Sequence, residues 1–532
     1  MTEVTNQTPP ALHGPSAKER KYDRQLRLWA ASGQAALESS NVLLINSGGG
    51  TVGIEALKNL VLPGIGRFTI IDAATVDDAD LGVNFFLDES CLGKSRAECC
   101  AHLLQELNPE VVGDWHPKTR RPLDPNEALD GVDVFTIILY VLPLPAEQID
   151  VIRAYARKHA TPLVAIHSAG FYSYFRIDLP YTFPVVDTHP EETATTDLRL
   201  LSPWPELSAF ASEMTRGIDA LGDHTHGHLP LIVILLHHLE LWKETHDGSF
   251  PTTYANKVAF RNQIFDAMRK NNPEGGEENF EEAISAVMKH ITPSSLPSTL
   301  QQIFEFRHDA EHGPETSFWI LAQAVQEFYR RHQQLPVPGN LPDMKAESKI
   351  YITLQNLYKD KARQDVAEVL DIARSINGGL ALDPAEAALF CANAKFIKLI
   401  NTGEGDGLAM PQIVGAQLAN DEIAAIAGPE VPTSLIQIYL ALAATSHTAS
   451  LSADEILAYM KEQAPALDNN EKAAQVAKEV SRAAGAELHN VSAVTGGMVA
   501  QEVIKIITQQ YIPIDNTCIF DGIESRCQVL RM

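Results

Sequence analysis

Gly48-Gly49-Gly50-Thr51-Val52-Gly53 fits the pattern G-x-G-x-x-G and directly follows the apolar run Val42–Asn46. Glycines so placed permit a tight turn and let the backbone approach a phosphate. The N–H groups that open the next helix are then free to meet the anion. Asp72 closes the next apolar run, 19 residues after Gly53, where dinucleotide sites hold a ribose hydroxyl. These residue types allow a nucleotide site, with a nicotinamide cofactor as one candidate. They equally allow a loop whose glycines only let helix and strand pack closely.

Other chemical patterns fail at one position each. Leu92-Gly93-Lys94-Ser95 ends like a phosphate-binding P-loop, but Asp88 stands where its first glycine belongs. Ile166-His167-Ser168-Ala169-Gly170 has the shape of a nucleophile elbow with Ile166 in place of glycine. Asp223-His224-Thr225-His226-Gly227-His228 could converge on zinc only if extended, and it sits where Asp, Thr and His commonly cap a helix, so no metal is expected. The six cysteines form no C-x-x-C pair and are too sparse for a disulfide scaffold, which points to a reduced, intracellular setting. Cys99 and Cys100 fall mid-helix and read as small apolar residues.

The elements that would position these residues follow from periodicity. Lys21–Ser40 reads as a helix, with Tyr22, Leu26 and Trp29 on one side, favoured as core, and Arg20, Arg24 and Arg27 on another. From Asn41 to Asp178, short β-branched runs alternate with amphipathic helices, which implies a parallel sheet covered on both faces. The middle is helical and shows no fixed-period repeat. The tail returns to the first style, with a small-residue helix and two short strands that a turn at Asp521-Gly522 could join. The plan is a lead-in over 1–16, an α/β domain begun over 17–179, a helical insertion over 180–485, and completion of the first domain over 486–532. A formal charge of −26 argues against nucleic acid or anionic lipid as partner. No unbroken run of about 18 apolar residues suggests a membrane span.

Several stretches together resemble the activating enzymes of ubiquitin-like modifiers: YDRQLRLW, the glycine loop, KNLVLPGIG, Asp72, FFLDESCLGKSRAE and GGMVAQEVIKIITQQYIPI. VVDTHPEETATTDLRL, DHTHGHLPLIVI, GNLPDMKAESKIYITLQNLYKDKA and AELHNVSAVTGG are similar to the non-catalytic subunits of the branch that activates the Nedd/Rub modifier of cullins. The resemblance spans Lys21 to Met532. It implies an α/β, Rossmann-like adenylation fold of the ThiF/MoeB type, interrupted by a mostly α-helical insertion that forms half of the catalytic-cysteine domain. It also implies a heterodimer whose catalytic subunit holds ATP and magnesium and carries the nucleophilic cysteine. The modifier, and a conjugating enzyme reached through the complex, would be further partners, in the cytoplasm or nucleus.

Departures from the family pattern carry the expectation for this chain. Val83 replaces the arginine that contacts phosphate in the active half, and a valine cannot offset phosphate charge. No acid lies between Asp133 and Glu147, where the active half has a magnesium-binding aspartate, and no cysteine is followed by threonine. The expectation is therefore a subunit with no catalytic residue and no cofactor of its own, in which Gly48, Gly50, Gly53 and Asp72 form a degenerate, structural loop. The resemblance implies that Arg24 contacts ATP bound in the partner. It also makes Gly496, Gly497, Gln501, Glu502 and Lys505 candidates for the heterodimer interface, with packing inside their own domain as the other reading. A nicotinamide-dependent oxidoreductase and a stand-alone protein-binding adaptor are the competing functions.

Overall fold

In a computed structural model of the chain, the described residues are 14–118, 129, 133–179, 183–190, 196–271, 276–293, 295–306, 316–376, 382–400, 409–428, 431–448 and 450–532. Two compact units emerge: residues 1–185 with 400–532, and residues 186–399. The second unit thus takes part of the stretch read as an insertion over 180–485. Its remainder, including the helices Met410–Ala427, Ile436–Ala444, Ala453–Gln463 and Glu471–Ala483, falls in the α/β unit.

The first unit is built on an eight-stranded sheet. Its strands are β1 (Asn41–Ile45), β2 (Arg67–Ile71), β3 (Val112–His116), β4 (Ile137–Val141), β5 (Leu163–Ala169) and β6 (Tyr172–Asp178). After two short strands, β7 (Phe183–Val186) and β8 (Ile397–Ile400), the tail adds β9 (Thr517–Asp521) and β10 (Arg526–Leu530). The order is β10-β9-β6-β5-β4-β1-β2-β3. Strands β1 to β5 run parallel, while β6, β9 and β10 pair antiparallel. The chain passes from β1 to β2 through helix α3 (Thr51–Val61), after α1 (Ala17–Lys21) and α2 (Asp23–Glu38). Helices α4 (Asp78–Leu81) and α5 (Arg96–Leu107) precede β3, and α6 (Ala146–His159) joins β4 to β5.

Strands β1, β4 and β5 are buried along their whole length, as apolar runs covered on both faces must be. Alternation sorts their side chains. Val42 and Leu44 join the core under α3, α5 and the C-terminal helix (His489–Thr508), while Leu43 and Ile45 meet Ile152 and Tyr155 of α6. Fully burying one such leucine contributes about 1.5–3 kcal/mol. The C-terminal helix has the length and apolarity of a membrane span, a feature that counting unbroken apolar runs passes over. Its apolar residues go inward here: Val499, Val503 and Ile506 lie in the same core as Leu57 and Leu60 of α3. Gly496 makes that approach possible, since a Cβ there would lie 2.7 Å from the Ala56 nitrogen.

The second unit is helical, with one core around Ile232, Leu235, Phe260 and Tyr358 and another around Trp319, Leu321 and Val369. The Asp223–His228 run is not extended. Asp223–His226 forms a helical turn that sends His226 inward to Glu277, Nδ1 to Oε1 2.7 Å, where its ring stacks on Phe280. Among the described residues no group of three His, Cys, Asp or Glu could hold a metal ion.

Candidate functional site, a nucleotide loop filled from within

The glycine loop joins the end of β1 to α3 and lies where the strand order reverses direction, between β1 and β4. Open α/β sheets place their ligands at such a point. Gly50 caps α3 with φ +68°, in the left-handed region that glycine enters without strain, and supplies no side-chain cap. Gly53 faces Leu44 and Val141, where a Cβ would come within 2.9 Å of each, so it serves close helix–sheet packing.

The loop's anion position is not open. The Val52 N–H donates to Glu487 Oε2 at 2.8 Å, and Ser492 Oγ donates to the same oxygen at 2.6 Å. Glu487 is buried and enters from just ahead of the C-terminal helix. It is held there by a backbone bond from the Gly170 N–H to Ala486 O at 2.8 Å. Burial raises its pKa above the ordinary carboxylate value, against the opposing effects of the Ser492 hydroxyl, the Val52 N–H, Arg96 and the Gly50 N–H. The C-terminal segment that supplies it is remote in sequence, and no periodicity signals that a carboxylate there will meet residue 52.

Asp72 is also engaged. Arg96, the first residue of α5, donates Nε to Asp72 Oδ2 at 2.7 Å and Nη2 to Asp72 Oδ1 at 3.2 Å. Its Nη1 reaches Asp80 Oδ1 at 2.9 Å, and its Nη2 reaches the Gly48 carbonyl at 2.9 Å. Asn46 Nδ2 and the Ala74 N–H complete the acceptor set of Asp72, at 3.0 and 2.9 Å. Burial lowers the pKa of the Arg96 guanidinium, but Asp72 and then Asp80 outweigh it, and the net shift is upward. All three charged groups are buried, so the cluster holds together only as a whole. In sequence Arg96 lies within the family-like stretch FFLDESCLGKSRAE, beside the helix cap Ser95, whose Oγ accepts from the Glu98 N–H at 3.3 Å. That position reads equally as a surface charge.

Val83 brings no charge to this region. Its carbonyl is 3.0 Å from His489 Nδ1, and the exposed Phe85 ring stacks on His489 at 3.7 Å. The loop after β4 turns back toward Ser47, whose Oγ donates to Val141 O at 3.0 Å and Pro143 O at 2.7 Å. Both positions that a nucleotide would use, the Val52 N–H and Asp72, are thus engaged by side chains of the chain itself.

Comparison with known proteins gives this arrangement its context. The ThiF family matches residues 22–532. The "NEDD8-activating enzyme E1 regulatory subunit" of Gallus gallus is 35% identical over 95% of this chain and 97% of its own. That of Danio rerio is 34% identical with the same coverage, and the regulatory subunit AXL of Arabidopsis thaliana is 32% identical over 96% of this chain and 99% of its own. The chain belongs to the ThiF family, among the NEDD8-activating enzyme E1 regulatory subunits. The solved structure of E. coli MccB is 18% identical over 30% of this chain and 46% of that chain, with a TM-score of 0.26.

In this regulatory-subunit chain the remaining expected residues fall into two groups. Gly496 and Glu502 are buried in their own unit. Glu502 accepts from Lys505 Nζ at 2.6 Å and from the Ile514 N–H at 2.9 Å. Gly497, Gln501 and half-buried Lys505 lie on the outer side of the same helix, in line with the exposed Val494. Arg24 sits on the first turn of α2, which breaks at Trp29 and Ala30 rather than running on as one regular helix. Of the three residues favoured as core, Tyr22 and Trp29 are buried and Leu26 is only half-buried. Arg20 donates to the Pro15 carbonyl at 2.9 Å and Arg27 pairs with Asp23 at 3.1 Å. Arg24 is exposed, with no hydrogen bond or ion pair among the described residues.

Proposed function

We propose that this chain is the non-catalytic half of a heterodimeric NEDD8-activating enzyme. The catalytic subunit binds ATP and magnesium, adenylates the modifier and carries the thioester. This chain completes the assembly and positions the reaction, and the conjugating enzyme meets it through the complex, in cytoplasm or nucleus. The observation that supports the reading is the filled loop, in which Glu487 accepts from the Val52 N–H and Arg96 engages Asp72. The same contacts speak against a nicotinamide oxidoreductase, which needs both positions.

Within this reading Arg24 reaches the phosphates of ATP bound in the partner. A guanidinium supplied across an interface brings a fixed charge and can contact two phosphate oxygens. Among the described residues Arg24 has no hydrogen bond or ion pair, whereas Arg20 on α1 and Arg27 on α2 are each engaged with a neighbour. The outer face of the C-terminal helix, with Gly497, Gln501 and Lys505, supplies part of the interface. Reconstitution tests the whole: the chain alone, the catalytic subunit alone and the pair are assayed for ATP-dependent thioester formation on the modifier. Activity that requires both supports the proposal. Activity of this chain alone, or of the partner without it, refutes it.

A further inference from the structure

The N-terminus of α3 has lost two things that normally satisfy such an end. Its cap residue, Gly50, has no side chain, and the ligand that a glycine loop normally meets is replaced by protein. What lies there instead is a buried carboxylate, accepting from the Val52 N–H at 2.8 Å and oriented by Ser492 at 2.6 Å. Gly49 lies against the other carboxylate oxygen, where an added Cβ would sit 3.2 Å from Oε1. Beside it the Thr51 hydroxyl, which can donate, is buried without a hydrogen-bond partner among the described residues.

We propose that Glu487 is a built-in substitute for a nucleotide phosphate, an acceptor that the chain itself supplies to the loop. The Val52 N–H in the first turn of α3 then keeps the role such groups have in a phosphate site, and the chain itself supplies the oxygen that accepts from it. Cap and closure become one contact: the carboxylate that satisfies α3 also shuts the loop to phosphate. The inference rests on the reading that this half holds no nucleotide, and goes further by naming what took the nucleotide's place. Removing the side chain turns the loop into a site for a small oxyanion.

The test uses the full-length chain as wild type, Glu487→Ala, Glu487→Gln and Ser492→Ala. Hydrogen exchange of the segment 49–54 and the thermal midpoint are followed with sodium chloride, sodium formate or sodium phosphate at matched ionic strength. In Glu487→Ala the segment exchanges about tenfold faster and the midpoint falls, as for a lost helix cap. Formate and phosphate restore both, chloride restores neither, and the wild type responds to none of the salts. Ser492→Ala, which keeps the carboxylate but frees it, gives a smaller acceleration at the same segment. If Glu487→Ala does not fold, Glu487→Gln carries the test, with faster exchange confined to 49–54. Unchanged exchange in Glu487→Gln and Ser492→Ala, or a folded Glu487→Ala that neither oxyanion restores, overturns the proposal. Calorimetric binding of ATP by the wild-type chain is a separate outcome, and overturns the underlying reading that this half is empty of nucleotide.

Discussion

Arg96 grips Asp72 through two nitrogens, 2.7 and 3.2 Å from the two carboxylate oxygens, at the strand-end position where dinucleotide sites carry their ribose acid. Both groups are buried, and Asp80 shares the same guanidinium. Arg96→Ala therefore strands two carboxylates in the interior and is expected to destabilise the α/β unit by about 3–5 kcal/mol in urea unfolding. Arg67→Ala is the control. It breaks an exposed pair with Asp133 and is expected to cost less than about 1 kcal/mol. Similar losses for the two variants would contradict the account of the buried cluster.

Gly496 and Gly497 are adjacent and face opposite ways. Gly496→Ala forces a Cβ against the Ala56 nitrogen and is expected to lower stability by about 1–3 kcal/mol. Gly497→Ala meets nothing within 4 Å in this chain and is expected to raise stability by up to about 1 kcal/mol, because alanine is the better helix former. The second variant should nevertheless weaken association with the catalytic subunit, measured by analytical ultracentrifugation. Undiminished association would move the interface off this helix face.

Arg24→Ala is expected to leave the heterodimer intact and to slow modifier adenylation by about 10- to 100-fold. That is the range a charged hydrogen bond of about 1.5–3 kcal/mol would give. Arg24→Lys should recover part of the rate, since the charge is kept and the two-pronged geometry is lost. Single-turnover adenylation in the reconstituted enzyme reads this directly. Unaltered rates in both variants would remove Arg24 from the mechanism.

Two buried histidines set a limit on acid stability. Burial lowers His167 to about 4, where Tyr174 packs edge-on and Thr445 Oγ1 lies 3.3 Å from Nε2. His238 also falls to about 4, by burial first and then by the neighbouring His237 and His226. Folding holds both neutral, while the unfolded chain protonates near 6.5. Their contribution is complete above that value and is lost as pH falls from about 6.5 toward 4, a few kcal/mol in all. His167→Asn should flatten that slope of the unfolding free energy measured between those limits. A slope unchanged from wild type would assign the acid sensitivity elsewhere.

Strands β1, β4 and β5 were legible because their apolar runs are continuous, which follows from burial on both faces, and β2 because a short apolar run ends in Asp72. β3 was not, since Gly113 and Asp114 interrupt it and it lies at the sheet edge. β6 was hidden by its mixed run Tyr-Ser-Tyr-Phe-Arg-Ile-Asp. The glycine loop and Asp72 were visible as a pattern, and Val83 showed the missing charge. What fills the site was not visible. Glu487 lies 435 residues from Val52 in sequence, and only the folded sheet brings them together. Helices 410–483 looked like a continuation of the insertion, because composition cannot tell which unit an amphipathic helix covers.

The edge of β6 is closed by β9, which follows it in sequence only after the whole second unit. Until β9 is synthesised that edge has no neighbour, so the domain begun first is completed after the unit that interrupts it. An early stop codon that removes only β9 and β10 would leave an open sheet edge ready to pair with other chains. Such a truncation should aggregate rather than act as a slightly shortened subunit.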